Sequence, residues 1–251
     1  MAGRTYFAAD VHLGLDAGDP AEREERFVGW LKGICKPGTE AVYLLGDIWD
    51  FWYEYRDVIP REGVRVVAQI VNLLDAGIKV FYFSGNHDIW MYSFWQKLGV
   101  TVLRQPQLVS IGGKEFLLGH GDGLGGASRG YSLMLKVFHN RVCQRLFSTL
   151  HPWLAFRFGT DWSNSNRRSH GGYRFRGVEE PLYRFCVQEC TRLASEGTPV
   201  DFCIFGHFHD AVDMPVEYPG RERGSRLLVL KDWIGGGVHY ACWDGVSLEV
   251  M

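Results

Sequence analysis

The chain has 251 residues, 46% of them hydrophobic and 22% charged, which fits a globular protein and excludes a disordered, collagenous or coiled-coil chain. Lys and Arg number 27 against 29 Asp and Glu, a net charge of −2, which argues against a generally basic nucleic-acid binder. Cys35, Cys143, Cys186, Cys190, Cys203 and Cys242 form no Cys-x-x-Cys pair and lie in apolar segments, so they read as free thiols of a reducing compartment. With no apolar leader and no run of ~18 apolar residues, the expectation is a cytoplasmic protein that meets a membrane only from its surface.

In chain order, residues 5–9 form a short apolar run broken by Asp10-Val11-His12-Leu13-Gly14. Asp19-Pro20 followed by Glu22, Glu24 and Glu25 marks a helix start, with Asp as N-cap, Pro in the first turn and acids near the positive end of the dipole. Phe27, Trp30, Leu31 and Ile34 then recur at helical spacing. A second strand over 41–45 ends in Gly46-Asp47. A helix over 64–74, with Val67, Ile70, Val71 and Leu74 on one face, stops at Gly77. A third strand, 80–84, runs into Gly85-Asn86-His87-Asp88, a fourth, 116–118, into Gly119-His120-Gly121-Asp122, and a fifth, 202–205, into Gly206-His207-Phe208-His209. The tail segments 226–230, 238–243 and 246–250 alternate as an antiparallel meander does.

Between the fourth and fifth strands, residues 123–200 are expected to form a helical insertion, with helices over 131–150, 152–158 and 178–195. Residues 123–185 carry nine Arg and one Lys against Asp161, Glu179 and Glu180, a net of +7, which leaves the rest of the chain near −9. The same stretch holds Leu133, Leu135, Val137, Phe138, Val142, Leu146, Phe147, Leu150, Trp153, Leu154, Phe156 and Phe158, more apolar surface than a helical hairpin buries internally. Apolar groups for acyl chains and guanidinium groups for phosphates make this a candidate lipid-facing cap.

Each of the five strands ends in metal-type ligands: Asp10 and His12, then Asp47 and Asp50, then Asn86, His87 and Asp88, then His120 and Asp122, then His207 and His209. In an open α/β sheet, ligands bind beyond the carboxyl ends of the strands, so five segments deliver polar groups to one edge. A single His after a strand is most often a satisfied structural residue; the recurrence at five strand ends is what points to metal. Imidazole mixed with carboxylate suits Mn, Fe, Zn or Co. The groups are too many for one ion with an open position. They suit two ions sharing a carboxylate, which together clamp the attacking and leaving oxygens of a phosphoryl displacement.

The series Asp-x-His, Gly-Asp-x-x-Asp, Gly-Asn-His-Asp, Gly-His-Gly-Asp and Gly-His-x-His resembles the calcineurin-like metallophosphoesterase superfamily over residues 5–210. The resemblance implies an α/β fold, a four-layer α-β-β-α sandwich, with its core over 1–122 and 201–251 and a helical lid over 123–200. It implies that Asp10, His12, Asp47 and His209 hold one ion, and that Asp47 (bridging), Asn86, His120 and His207 hold the other. His87 and Asp88 are then the catalytic pair, His87 hydrogen-bonded to Asp88 and standing beside the reacting phosphate without binding metal.

Within the superfamily, Tyr-Phe-Ala-Ala-Asp-Val-His-Leu-Gly, Gly-Asp-Ile-Trp-Asp-Phe-Trp and the helical insertion directly after Gly-His-Gly-Asp look like the UDP-2,3-diacylglucosamine pyrophosphohydrolases of lipid A biosynthesis. That likeness implies two manganese(II) ions, a UDP-diacyl-sugar lipid split into UMP and 2,3-diacylglucosamine 1-phosphate, the cytoplasmic face of the inner membrane as partner surface, and no nucleic acid. Substrate contacts are expected at Asn86, His87, Ser128, Tyr131, Ser163, Asn164, Asn166, Arg167, Arg168 and His207. The chain departs from the best-known members at His87, where they carry Arg, and at Ser128, where they carry Asp. A general nucleotide pyrophosphatase or phosphodiesterase shares every metal ligand but needs no apolar lid. A DNA-processing nuclease calls for a basic main domain, and this one is acidic. A non-catalytic scaffold on this fold is expected to have lost ligands.

Overall fold

Alternation along the strands decides the architecture. The computed structural model describes residues 3–55, 57–126, 128–170, 173–219 and 224–251, apart from the side chains of Thr160, Trp162 and residues 164–170. In β1 (Arg4–Ala8) and β2 (Thr39–Leu44), Tyr6, Ala8, Val42 and Leu44 point to one apolar cluster, and Phe7, Ala41 and Tyr43 to another. Successive side chains of a strand face opposite ways, so a strand apolar at every position must be covered on both sides. The first cluster is completed by Phe27, Trp30, Leu31 and Ile34 of α1 (Pro20–Ile34), Val66, Ile70 and Leu73 of α2 (Val64–Asp75), and Trp95 of α3 (Phe94–Leu98). The expected start of α1 is present, with Asp19 accepting from the backbone N–H groups of Ala21 and Glu22 at 3.0 Å each.

β1 and β2 are joined in parallel by β3 (Lys79–Phe83) and β4 (Thr101–Leu103). The second sheet has the order β5 (Gln107–Ile111), β6 (Lys114–Leu118), β7 (Phe202–Phe205), β9 (Ser225–Val229), β8 (Val212–Val216). Phe116, Leu118, Ile204 and Leu228 of this sheet meet Phe7, Tyr43 and Phe83 of the first in the central cluster. Their neighbours Leu117, Cys203, Phe205, Leu227 and Val229 face outward onto Leu182, Cys186, Cys190 and Leu193 of α4 (Pro181–Ser195). The result is the four-layer α-β-β-α sandwich.

Two expectations need correction. The helix Pro181–Ser195 was expected inside the lid, but its apolar face is buried on the second sheet, so it is the fourth layer of the sandwich and not part of a lid. The tail is not one meander. β9 pairs in parallel with β7, whereas β10 (Ala241–Trp243) and β11 (Leu248–Val250) extend the first sheet antiparallel beside β1.

What stands over the sandwich is the shorter stretch of three helices, α5 (Arg129–His139), α6 (Arg141–Phe147) and α7 (Pro152–His170). The expected helix over 131–150 breaks at Asn140, whose side chain accepts from the N–H groups of Val142 at 2.9 Å and Cys143 at 3.1 Å and restarts the helix as α6. No described residue of α5 or α6 is buried. Among the described residues, no helix is long and apolar enough to cross a membrane.

Candidate active site

The backbone at the strand ends is held in an uncommon conformation. Among the described residues, the non-glycine positions with positive φ are Asp10, His12, Asp47, His207 and His209, at 51° to 74°, and all five are candidate ligands. Asp and His tolerate this region better than most residues, yet each such position still costs of order 1–3 kcal/mol. The neighbouring strand ends hold it in place: Asp10 N–H donates to the Gly46 carbonyl at 3.1 Å and His12 N–H to the Asp47 carbonyl at 3.0 Å. Close approach also explains two glycines. A Cβ on Gly85 would lie 2.1 Å from Asp47 Oδ1, and one on Gly206 2.3 Å from Asp10 Oδ2.

These turns bring Asp10, His12 and His209 together. His12 Nε2 and His209 Nε2 are 3.3 Å apart, and Asp10 Oδ1 lies 3.7 Å from the first and 3.6 Å from the second. His12 Nδ1 is 3.1 Å from Asp50 Oδ1, and His209 Nδ1 is 3.3 Å from Asp232 Oδ2. In neutral rings each Nδ1 therefore carries the hydrogen donated to a carboxylate, and each Nε2 presents a lone pair. Asp10 Oδ1 is buried with no hydrogen-bond partner. Asp10 Oδ1 and the two Nε2 atoms face one another within 3.7 Å in a largely buried space, an arrangement that a single divalent cation could serve with all three as ligands. Burial pushes the Asp232 carboxyl up, but His209 and the Ile234 N–H outweigh it and hold it down at about 2.

Asp47 connects this group to a second one. Its Oδ2 lies 3.9 Å from His12 Nε2 and 3.3 Å from His120 Nε2, while its Oδ1 accepts from the His87 N–H at 2.9 Å. Burial alone raises the Asp47 pKa; the imidazoles of His120 and His87 outweigh it and hold the carboxyl well below the usual carboxylate range. His120 Nδ1 is 2.9 Å from the Leu45 carbonyl and its Nε2 is 3.3 Å from Asn86 Oδ1. His207 donates its N–H to Asp10 Oδ2 at 2.8 Å and packs its ring at 5.1 Å from that of His120. Burial and His120 pull its imidazole down to about 4, which keeps its lone pair available. Three groups of described residues can hold an ion, each with ligand atoms within 4.8 Å: Asp10–His12–His209, His12–Asp47–His87 and Asp10–Asp47–His120. His87 thus comes within reach of a cation, although the sequence reading kept it outside both shells.

The expected pairing of His87 with Asp88 gives way to another. Fully buried Asp88 accepts from Gly85 N–H at 2.6 Å, Ile48 N–H at 2.9 Å and Tyr82 O–H at 2.7 Å, so it braces the β2 and β3 turns against each other. His87 Nδ1 lies 3.0 Å from the Asp50 carbonyl and 3.3 Å from Ser163 Oγ, which reaches in from α7. Of the other expected substrate contacts, Ser128 Oγ caps α5 through the Tyr131 N–H at 3.2 Å, and Tyr131 O–H donates to Asp122 Oδ2 at 3.2 Å. Asp122 also accepts from Gln105; it belongs to none of the three cation groups, yet its charge raises the imidazoles of His120 and His207. Asn164, Asn166, Arg167 and Arg168 lie outside the described side chains.

Two contributors escaped the sequence reading. Asp50 counts in the sequence only as one more metal-type group at the second strand end, and in the structure it holds His12. Asp232 follows β9, where Lys231-Asp232-Trp233 puts a carboxylate just after an apolar run, as Asp10 stands after β1, but without the Gly that marks four of the five other turns. Reading β9 as part of a meander hid that its carboxyl end points to the same edge.

The chain resembles known proteins over its whole length. Residues 3–211 match the family model of the calcineurin-like phosphoesterases. The chain is 34% identical to a UDP-2,3-diacylglucosamine hydrolase of Porphyromonas gingivalis, over 99% of this chain and 97% of that one. It is 30% identical to the protein of that name from Edwardsiella ictaluri, over 82% of this chain and 75% of that one. A crystal structure of a dimetal phosphatase from Danio rerio aligns with 96% of this chain and 92% of that one, at 15% identity and a TM-score of 0.47. Because the family match runs through every strand end from Asp10 to His209, the chain belongs to the calcineurin-like phosphoesterases, hydrolases that work with a divalent metal ion.

Proposed function

We propose that this protein is a hydrolase of lipid A biosynthesis that cleaves the pyrophosphate of UDP-2,3-diacylglucosamine, yielding UMP and 2,3-diacylglucosamine 1-phosphate. The observation that carries the substrate is the end-to-end match to the Porphyromonas gingivalis hydrolase of that name, which runs through the sandwich and the helices above it alike. Two manganese(II) ions are the proposed cofactors. Asp10, His12, Asp47 and His209 hold one, and Asp47, Asn86, His120 and His207 the other, with Asp47 reaching both groups as its Oδ2 distances support. When bound, such ions lower the pKa of water and neutralise charge on phosphoryl oxygens.

The remaining work falls to side chains. His87 stands beside the reacting phosphate. With its Nδ1–H committed to the Asp50 carbonyl, proton chemistry and charge stabilisation fall to Nε2. Ser163 fixes the ring from the lid side and links lid position to the orientation of His87.

The proposed lid is α5 to α7. Leu133, Val142, Leu146, Trp153 and Phe158 are each 61–65% exposed, and residues 129–160 contain Arg129, Lys136, Arg141, Arg145 and Arg157 but no Asp or Glu. An apolar surface interleaved with cations suits an anionic bilayer, so we place the enzyme peripherally at the cytoplasmic face of the inner membrane.

The test is direct. Purified enzyme with manganese and UDP-2,3-diacylglucosamine should release UMP and the diacyl sugar phosphate. Equal cleavage of UDP-glucose or a cyclic nucleotide would replace this reading with a general nucleotide pyrophosphatase.

A further inference from the structure

The histidines at the site differ in what holds their Nδ1 atoms. His12 Nδ1 faces a carboxylate, Asp50 Oδ1, at 3.1 Å, and His209 Nδ1 faces another, Asp232 Oδ2, at 3.3 Å. Among the described residues, His120 Nδ1 faces the uncharged Leu45 carbonyl, at 2.9 Å. Either partner fixes the tautomer, but a carboxylate also raises the basicity of the far nitrogen. The Asp10 group therefore has two carboxylate-backed imidazoles. The Asp47–Asn86–His120–His207 set has a neutral amide and a carbonyl-backed imidazole.

Asp232 is placed for this task by more than one bond. Its Oδ1 accepts from the Ile234 N–H at 2.7 Å, which closes the turn after β9. The next residue, Trp233, donates its N–H to the Asp10 carbonyl at 3.1 Å, is fully buried, and packs its ring 5.0 Å from Phe27 and 5.7 Å from Trp30. Arg26 Nη2 donates to the Trp233 carbonyl at 3.0 Å. The carboxylate is thus tied to the backbone of one ligand while it holds the ring of another.

We infer that Asp232 is a positioning residue that, with Asp50, makes the Asp10–His12–His209 position the tighter of two unequal cation positions. The inference rests on the two-ion reading above. The two positions then fill in order as metal is added, the Asp10 position first.

Titration of metal-stripped enzyme with manganese(II), followed by calorimetry and by the electron paramagnetic resonance of free ion, reads both binding constants. The wild type should show two unequal constants. Asp232→Asn keeps an acceptor for Ile234 N–H and removes the charge, so it should weaken the tighter constant by about 10- to 100-fold and leave the weaker one in place. Asp232→Ala should weaken the same constant further. The melting temperature of the metal-free Asp232→Asn protein should match the wild type, which separates positioning from general destabilisation. Unchanged constants, or equal weakening of both, would overturn the inference. A wild-type stoichiometry of one would instead remove the two-ion reading. Asp232 would then stand or fall on whether that single constant weakens in the variant.

Discussion

His12 and His209 point their Nε2 atoms at each other across 3.3 Å, with Asp10 Oδ1, buried and without a hydrogen-bond donor, beside both. A cation between these atoms would take all three as ligands at once. Metal should therefore stabilise the fold strongly. At a free concentration 100 times the dissociation constant, each ion contributes about 2.7 kcal/mol, and two raise the melting temperature by something on the order of 10 °C for a chain of this size. Scanning calorimetry of chelator-treated enzyme with and without manganese measures this. A melting curve indifferent to manganese would contradict the assignment of Asp10, His12 and His209 as ligands.

His87 separates catalysis from metal binding. His87→Ala should keep its metal content and lower turnover by roughly 10²–10³, the usual cost of losing one transition-state donor. The paired readouts are manganese per chain and kcat. Loss of metal in this variant would make His87 a ligand, as its membership of the His12–Asp47 group allows.

The strand-end ligands were legible because both parts of the signal are local: an apolar run that must be buried, then Gly beside Asp, Asn or His. What stayed hidden depends on pairing over long distances. Leu182, Cys186, Cys190 and Leu193 give the same helical pattern whether the helix covers a lid or a sheet, so only the tertiary structure assigns it to the fourth layer. Asp232 was hidden because parallel and antiparallel pairing of β9 look alike in sequence, yet only the parallel arrangement brings its carboxyl end to the site. The partner of His87 was misread because its neighbour Asp88 offers a plausible carboxylate, while three donors from elsewhere claim it.

Glu54 binds the two ligand-bearing turns of the first sheet. Its buried Oε2 accepts from the N–H groups of Tyr92 and Ser93 at 2.7 Å and of Phe94 at 3.1 Å, just beyond the His87 turn, while Glu54 itself follows the Asp47 turn. Glu54→Ala takes the charged acceptor away from three part-buried donors, at a cost of about 1–3 kcal/mol. Glu54→Gln keeps an acceptor and should lose less. Urea unfolding measures the difference, and kcat should fall more in the Ala variant as His87 loosens. Equal stability of the two variants would show that the carboxylate does not hold the turns.

The lid face should bind membrane and do little for stability. Val142, Leu146 and Trp153 are each 63–65% exposed, so replacing them with Ser removes almost no packing and should leave the melting temperature unchanged. Insertion of such side chains into a bilayer contributes about 1.5–3 kcal/mol each when burial is complete, and each nearby Arg adds about 1 kcal/mol on an anionic surface. The triple Ser variant should therefore lose sedimentation with vesicles containing phosphatidylglycerol. Arg141→Gln with Arg145→Gln should weaken that binding in low salt and much less in high salt, where charges are screened. Neither variant should slow hydrolysis of bis(p-nitrophenyl) phosphate, a soluble diester too small to use the lid. Both should slow cleavage of the diacylated UDP-sugar presented in vesicles. Undiminished vesicle binding in both variants would move the membrane contact away from α5 to α7.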